Sequence, residues 1–124
     1  MLKEIGTYLQ SQGIGTLGAN LFLGLMPDQP DDCIALFEYA GSPPDLHWNG
    51  EYPGLQVRVR NKSYAAGRAK IKEVVTELHG AHELTLNGTR YLLIKARGSP
   101  EVLKRDNNNR VELFVNFEII KERD

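Results

Sequence analysis

The sequence predicts an α+β fold: two helices on one face of a largely antiparallel sheet of about six strands, in the order α-β-β-β-α-β-β-β. Three observations carry that prediction. Residues 63–80 repeat apolar side chains at helical spacing. Two stretches, GLQVRVRN (54–61) and VELFVNFEII (111–120), alternate as half-buried strands do. Asn87-Gly88, flanked by ELTL and RYLLIKA, is the dipeptide best suited to the positive φ angles of a tight hairpin turn.

Taken in order, residues 2–12 place Leu2, Ile5 and Leu9 on one helical face, and SQGIGTLG (11–18) supplies glycines that stop the helix. NLFLGLM (20–26) and CIALFEY (33–39) are apolar runs of strand length. PDQPDD between them is turn chemistry, so the two are expected to form a hairpin with a wide turn. Residues 40–54, GSPPDLHWNGEYPG from Gly41 onward, have no period and are expected to be a long loop carrying Trp48 and Tyr52. In the strand that follows, Leu55, Val57 and Val59 point one way and Gln56, Arg58 and Arg60 the other. The polar face is left to meet water, phosphate or a neighbouring subunit.

The second helix gives Ile71, Val74, Val75 and Leu78 one face, with Gly80 placed to cap it. After the Asn87-Gly88 hairpin, RGSPEVLKRDNNNR (97–110) is expected to be a second long loop. The last strand sets Val111, Leu113, Val115, Phe117 and Ile119 against Glu112, Phe114, Asn116 and Glu118. The chain is read as a single domain, 1–124, with long loops at 40–54 and 97–110.

Composition bounds the function. Fifteen basic against sixteen acidic side chains do not advertise a nucleic-acid or acidic-membrane partner. Cys33 is the single cysteine, which excludes an intrachain disulfide, and the first residues lack the pattern of a signal peptide; a reducing cytosol is expected. No apolar run approaches the ~20 residues that span a bilayer.

Several strings mimic chemistry. GIGTLG (13–18) fits G-x-G-x-x-G and Glu38 lies about twenty residues on, but the fingerprint must follow a strand and open a helix, and here the order is reversed. His79, His82 and Glu83 offer three zinc donors without a fourth. Asp106-Asn107-Asn108-Asn109 resembles a calcium loop, yet Arg110, Val111 and Phe117 stand where an oxygen ligand, glycine and glutamate are needed. Cys33 with His47 as base would make a thiol nucleophile, against which stands an ordinary buried cysteine. No catalytic role and no cofactor is expected. Trp48 and Tyr52 read equally as interface anchors or as a lid folded on their own core.

With LFLGLMPDQPDD, GLQVRVRNKSY, ELHG and LKRDNNNRVELFVNF in order, the chain resembles, over nearly its whole length, the small tail terminator or minor capsid proteins of long-tailed bacteriophages. The most specific parts are Met26, Pro27 and Asp28; Gln56, Arg60, Ser63 and Tyr64; and Arg105, Asp106, Arg110, Asn116 and Phe117. The resemblance implies a hexameric ring in the virion, assembled in the host cytoplasm, that caps the head-proximal end of the tail. It would stop polymerisation of the tail tube protein and offer a surface to the head-completion or connector protein. DNA would pass through the lumen without specific binding. Trp48, Tyr52, Gln56, Arg58, Arg60, Leu103, Arg105, Asp106 and Arg110 are the expected subunit or partner interface. The alternative is a small nucleic-acid-binding module using Arg58 and Arg60, with Lys62, on an exposed sheet face.

Overall fold

A computed structural model describes all residues, Met1–Asp124. Helix α1 (Leu2–Ser11) is followed by β1 (Leu21–Leu23), β2 (Cys33–Ser42) and β3 (Gly50–Asn61). Helix α2 (Tyr64–Leu78) then precedes β4 (His82–Leu86), β5 (Thr89–Ala96), β6 (Glu101–Arg105) and β7 (Val111–Glu122). The α+β class and the predicted order hold, with one strand more than expected.

Local chemistry explains most of these elements. The Oγ of Ser63 accepts the Ala66 N–H at 3.2 Å, starting α2 with an N-cap, and Gly80 leaves it with φ +84°. Ile71, Val74 and Leu78 are fully buried on its inner side. Asn87 and Gly88 take φ of 50° and 81° and close the β4–β5 hairpin as expected.

The sheet runs β1-β2-β3-β7-β5-β4, with β6 beside the first half of β7 and β5 beside the second. Its inner face carries Ile34, Leu36, Leu55, Val57, Val59, Leu113, Val115, Phe117 and Ile119. These join Ile5 and Leu9 of α1 and Ile71, Val74 and Leu78 of α2 in one core. Both helices lie on this face, and the opposite, outer face has neither.

Three expectations change. The 20–26 and 33–39 runs are not a hairpin: β1 pairs with β2 in parallel, Leu21 opposite Ile34. Residues 24–32 therefore return to the start of β2, through a cis Gln29–Pro30 bond, instead of turning tightly. The expected loop at 40–54 shrinks to residues 43–49. Strand β2 runs on to Ser42 through a bulge where Gly41 has φ +60°, and β3 already begins at Gly50. A Cβ on Gly41 would lie 2.1 Å from the Tyr52 carbonyl oxygen, so the bulge requires glycine. Finally, 97–110 is not one loop, because β6 pairs with β7 inside it. A short turn at Asp106–Asn109 joins the two strands.

Candidate functional site

The outer face is built from four rows of side chains fixed by strand register. Cys33, Arg60, Glu112 and Lys104 form the first; Phe22, Ala35, Arg58, Phe114 and Glu101 the second. Phe37, Gln56 and Asn116 form the third, and Tyr39, Gly54, Glu118 and Lys95 the fourth.

Segment 24–32 covers Arg60 in the first row. Arg60 is 4% exposed and donates Nε to the Asp31 carbonyl (3.0 Å) and Nη2 to the carbonyls of Pro27 (2.6 Å), Pro30 (2.8 Å) and Asp28 (3.3 Å). Arg110, also 4% exposed, reaches the same segment. Its Nη1 donates to the Asp28 carbonyl at 2.5 Å and to Asp31 Oδ1 at 3.2 Å, and its Nη2 to Asp28 Oδ1 at 2.9 Å. Asp106 Oδ2 takes the remaining Nε at 2.8 Å. Two planar guanidinium forks thus satisfy the carbonyls of a segment with no regular partner of its own.

The carboxylates around them respond. The hydrogen bond from Lys62, 3.0 Å away, and the Arg110 charge hold Asp31 below its usual carboxylate range. The Arg110 backbone N–H and then its side chain do the same for Asp106. Asp106 Oδ1 also accepts the Asn108 N–H at 3.0 Å, making the Asp106–Asn109 segment an Asx-type turn.

Arg60 and Arg110 are therefore covered by segment 24–32 of their own chain. Arg58 and Arg60 do not form a cationic pair for phosphate, since only Arg58 is left on the uncovered part. Arg60 lies opposite Glu112 in register, but Glu112 pairs with Lys104 at 3.8 Å. Strand neighbours need not be ion-pair partners when a loop offers carbonyls.

Beyond the first row the face is open and aromatic. The Arg58 guanidinium lies 4.7 Å from the centre of the Phe37 ring and donates to Gln56 Oε1 at 2.7 Å. Gln56 in turn donates to Asn116 Oδ1 at 3.0 Å. Tyr39 lies flat across Gly54, where a Cβ would fall 2.2 Å from the ring, and donates its hydroxyl to the Phe117 carbonyl at 3.1 Å. Sequence reasoning did not single out Phe22, Phe37 or Phe114. The one visible signal is Phe114 standing among polar residues on the polar face of β7.

The other expected interface residues scatter. Trp48 is half-buried and folds over Gly50, donating Nε1 to the Tyr52 hydroxyl at 3.0 Å; Tyr52, inside β3, donates to Asp45 Oδ2 at 2.6 Å. Asp45 is held below its usual range by the Tyr52 and His47 hydrogen bonds. Trp48 and Tyr52 thus brace the 43–49 loop. Leu46 at its tip is 93% exposed. Leu103 is 43% exposed on β6, and Arg105 donates to Asn109 Oδ1 at 3.1 Å.

At the far end, Lys121 is fully buried between Glu51 (2.5 Å) and Asp124 (3.0 Å), which outweigh desolvation and raise its pKa. Cys33 and His47 flank opposite ends of β2, and burial pushes the thiol pKa up. His79 is engaged as an acceptor for the Ala96 N–H at 3.0 Å, and no three metal-binding side chains gather anywhere. No helix is long and apolar enough to cross a membrane.

The residues that carried the family resemblance converge in this architecture. Arg60 and Arg110 hold Pro27 and Asp28, Asp106 orients Arg110, Gln56 meets Asn116, Ser63 caps α2 and Phe117 fills the core. Among solved structures, a chain from the virion of a native gene transfer agent (GTA) particle shares the fold with a TM-score of 0.76. It is 15% identical, over 99% of this chain and 95% of that one. No curated protein matches the sequence. The model of the family described as bacteriophage tail terminator protein matches residues 8–123, and the chain belongs to that family.

Proposed function

We propose that this phage tail assembly protein forms a closed ring, a hexamer, at the head-proximal end of the tail. There it ends polymerisation of the tail tube protein and joins the tail to the head-completion complex. The family match over residues 8–123 carries the reading. The outer sheet face around Arg58, continued by the exposed strand β6, has no helix on it and is open to contacts. A heterologous contact needs two unlike patches, and closes when its rotation does. The reading makes the chain a structural part without catalysis, with duplex DNA passing through the lumen unbound.

Electron microscopy of lysates lacking this protein is the test. DNA-filled heads beside tails of uncontrolled length are expected, because nothing then stops addition of tube subunits. Tails of normal, uniform length would sink the proposal.

A further inference from the structure

On the uncovered part of the outer face a chain of side-chain hydrogen bonds runs from Arg58 through Gln56 to Asn116. Arginine can only donate, so the 2.7 Å contact from Arg58 Nε fixes the Gln56 oxygen toward it. The Gln56 amide nitrogen then donates onward, at 3.0 Å, to Asn116 Oδ1. Each side-chain oxygen of the chain is thus engaged by its neighbour. What remains for an outside group is donors: the Asn116 Nδ2 amide and the terminal nitrogens of Arg58.

Arg97 adds a second cation. Its backbone N–H donates to the Asn116 carbonyl at 2.8 Å, and its guanidinium lies beside the Tyr39 hydroxyl. Neither Arg58 nor Arg97 has a carboxylate within 4.0 Å. The donors open onto a groove of about 350 Å³ lined by Phe37, Glu38, Tyr39, Gln56, Arg58 and Asn116. Phe37 holds the Arg58 guanidinium 4.7 Å from its ring centre, and Phe114 is the cross-strand neighbour of Arg58. A positioned cation beside aromatic carbon, with no acid of its own, is complementary to an anionic group that has apolar neighbours.

We propose that this groove binds a single carboxylate carried, with apolar flanks, on an exposed segment of a partner protein. The carboxylate takes the terminal nitrogens of Arg58, and the flanks rest on Phe37 and Phe114. Asn116 lies two strand residues from the Arg58 row, about 7 Å, which places its free amide for a backbone carbonyl of the same segment. Charge chooses this occupant over nucleic acid. A phosphodiester chain repeats its charge and would bring further phosphates over Glu38, Glu101 and Glu118, whereas one carboxylate meets only the cation. The assignment goes beyond the ring reading and does not depend on it.

Titration of isotope-labelled protein followed by NMR is the test. The probes are the peptide acetyl-Leu-Glu-Leu-amide, its glutamine counterpart, inorganic phosphate and a short DNA duplex. The side-chain N–H signals of Arg58 and Asn116 should shift saturably with the glutamate peptide below about 10 mM, and the glutamine peptide should bind at least about tenfold more weakly. Arg58→Gln should abolish the shift at Asn116 while the remaining backbone signals stay in place, and Arg97→Gln should weaken binding about threefold.

No saturable shift with the glutamate peptide overturns the proposal. So do three other results. Phosphate binding as tightly as the peptide would make this a general oxyanion site, and tighter binding of the duplex would assign the face to DNA. Self-association of the protein alone, abolished by Arg58→Gln, would make a second copy the occupant. Tail length in lysates lacking the chain tests the ring reading and leaves these outcomes untouched.

Discussion

At one end of the outer sheet face, segment 24–32 lies over Arg60. One row along, Arg58 rests on Phe37 at a part-exposed site. The two arginines leave the same face of β3 two residues apart, so strand periodicity cannot tell them apart. What separates them is a distant stretch of chain whose carbonyls need donors. The covered row is a structural device that seats a non-regular segment, and the open row leaves its charge without a carboxylate partner in the chain.

The largest effect that would break this comparison is loss of stability at the covered row. Arg60→Ala strips donors from four carbonyls and should cost about 2–4 kcal/mol in chemical denaturation. Arg60→Lys should recover little, because an ammonium cannot reproduce the fork. A near-neutral Arg60→Ala would mean segment 24–32 does not depend on it.

Acid gives a smaller, graded effect on the same row. Asp31 and Asp106 have folded-state pKa values below their unfolded ones, so their stabilisation is complete above an unfolded pKa of about 3.9 and is lost as pH falls through the folded values. Melting temperature should therefore fall with acidification below about pH 4. Asp106→Asn should be less stable at neutral pH and show a shallower fall. An equal slope in both proteins would remove Asp106 from the account.

The smallest effect is expected at the open row. Arg58→Ala loses one hydrogen bond and a cation–π contact at a part-exposed site, and should cost about 1 kcal/mol or less. A cost as large as that of Arg60→Ala would erase the distinction between the rows.

Much of the fold was legible because it is local. The Ser63 cap, the Ile71 to Leu78 stripe, the Asn87-Gly88 turn and the alternation of β7 each lie within a few residues of what they determine. The parallel pairing of β1 was not. Proline and aspartate between two apolar runs read the same for a hairpin and for a return crossing, and the choice depends on Arg60 and Arg110, 32 and 82 residues beyond Asp28. Strand β6 escaped because both its faces are exposed, so no burial pressure writes an alternating pattern into it. Of the candidate interface, Gln56, Arg58 and Leu103 were found at accessible positions. Trp48 and Tyr52 brace their own loop, and Arg110 is buried for the reason that hid the crossing.

The double grip of Arg60 and Arg110 on Asp28 also imposes an order in time. Residues 24–32 can be made early in translation, but their donors arrive with β3 and then with the start of β7, after long loops have closed. The native hydrogen bonds of the segment are complete only when the central β3–β7 pairing has placed both guanidinium groups. Until then the Arg60 row lies bare and the boundary of the Arg58 surface is undefined.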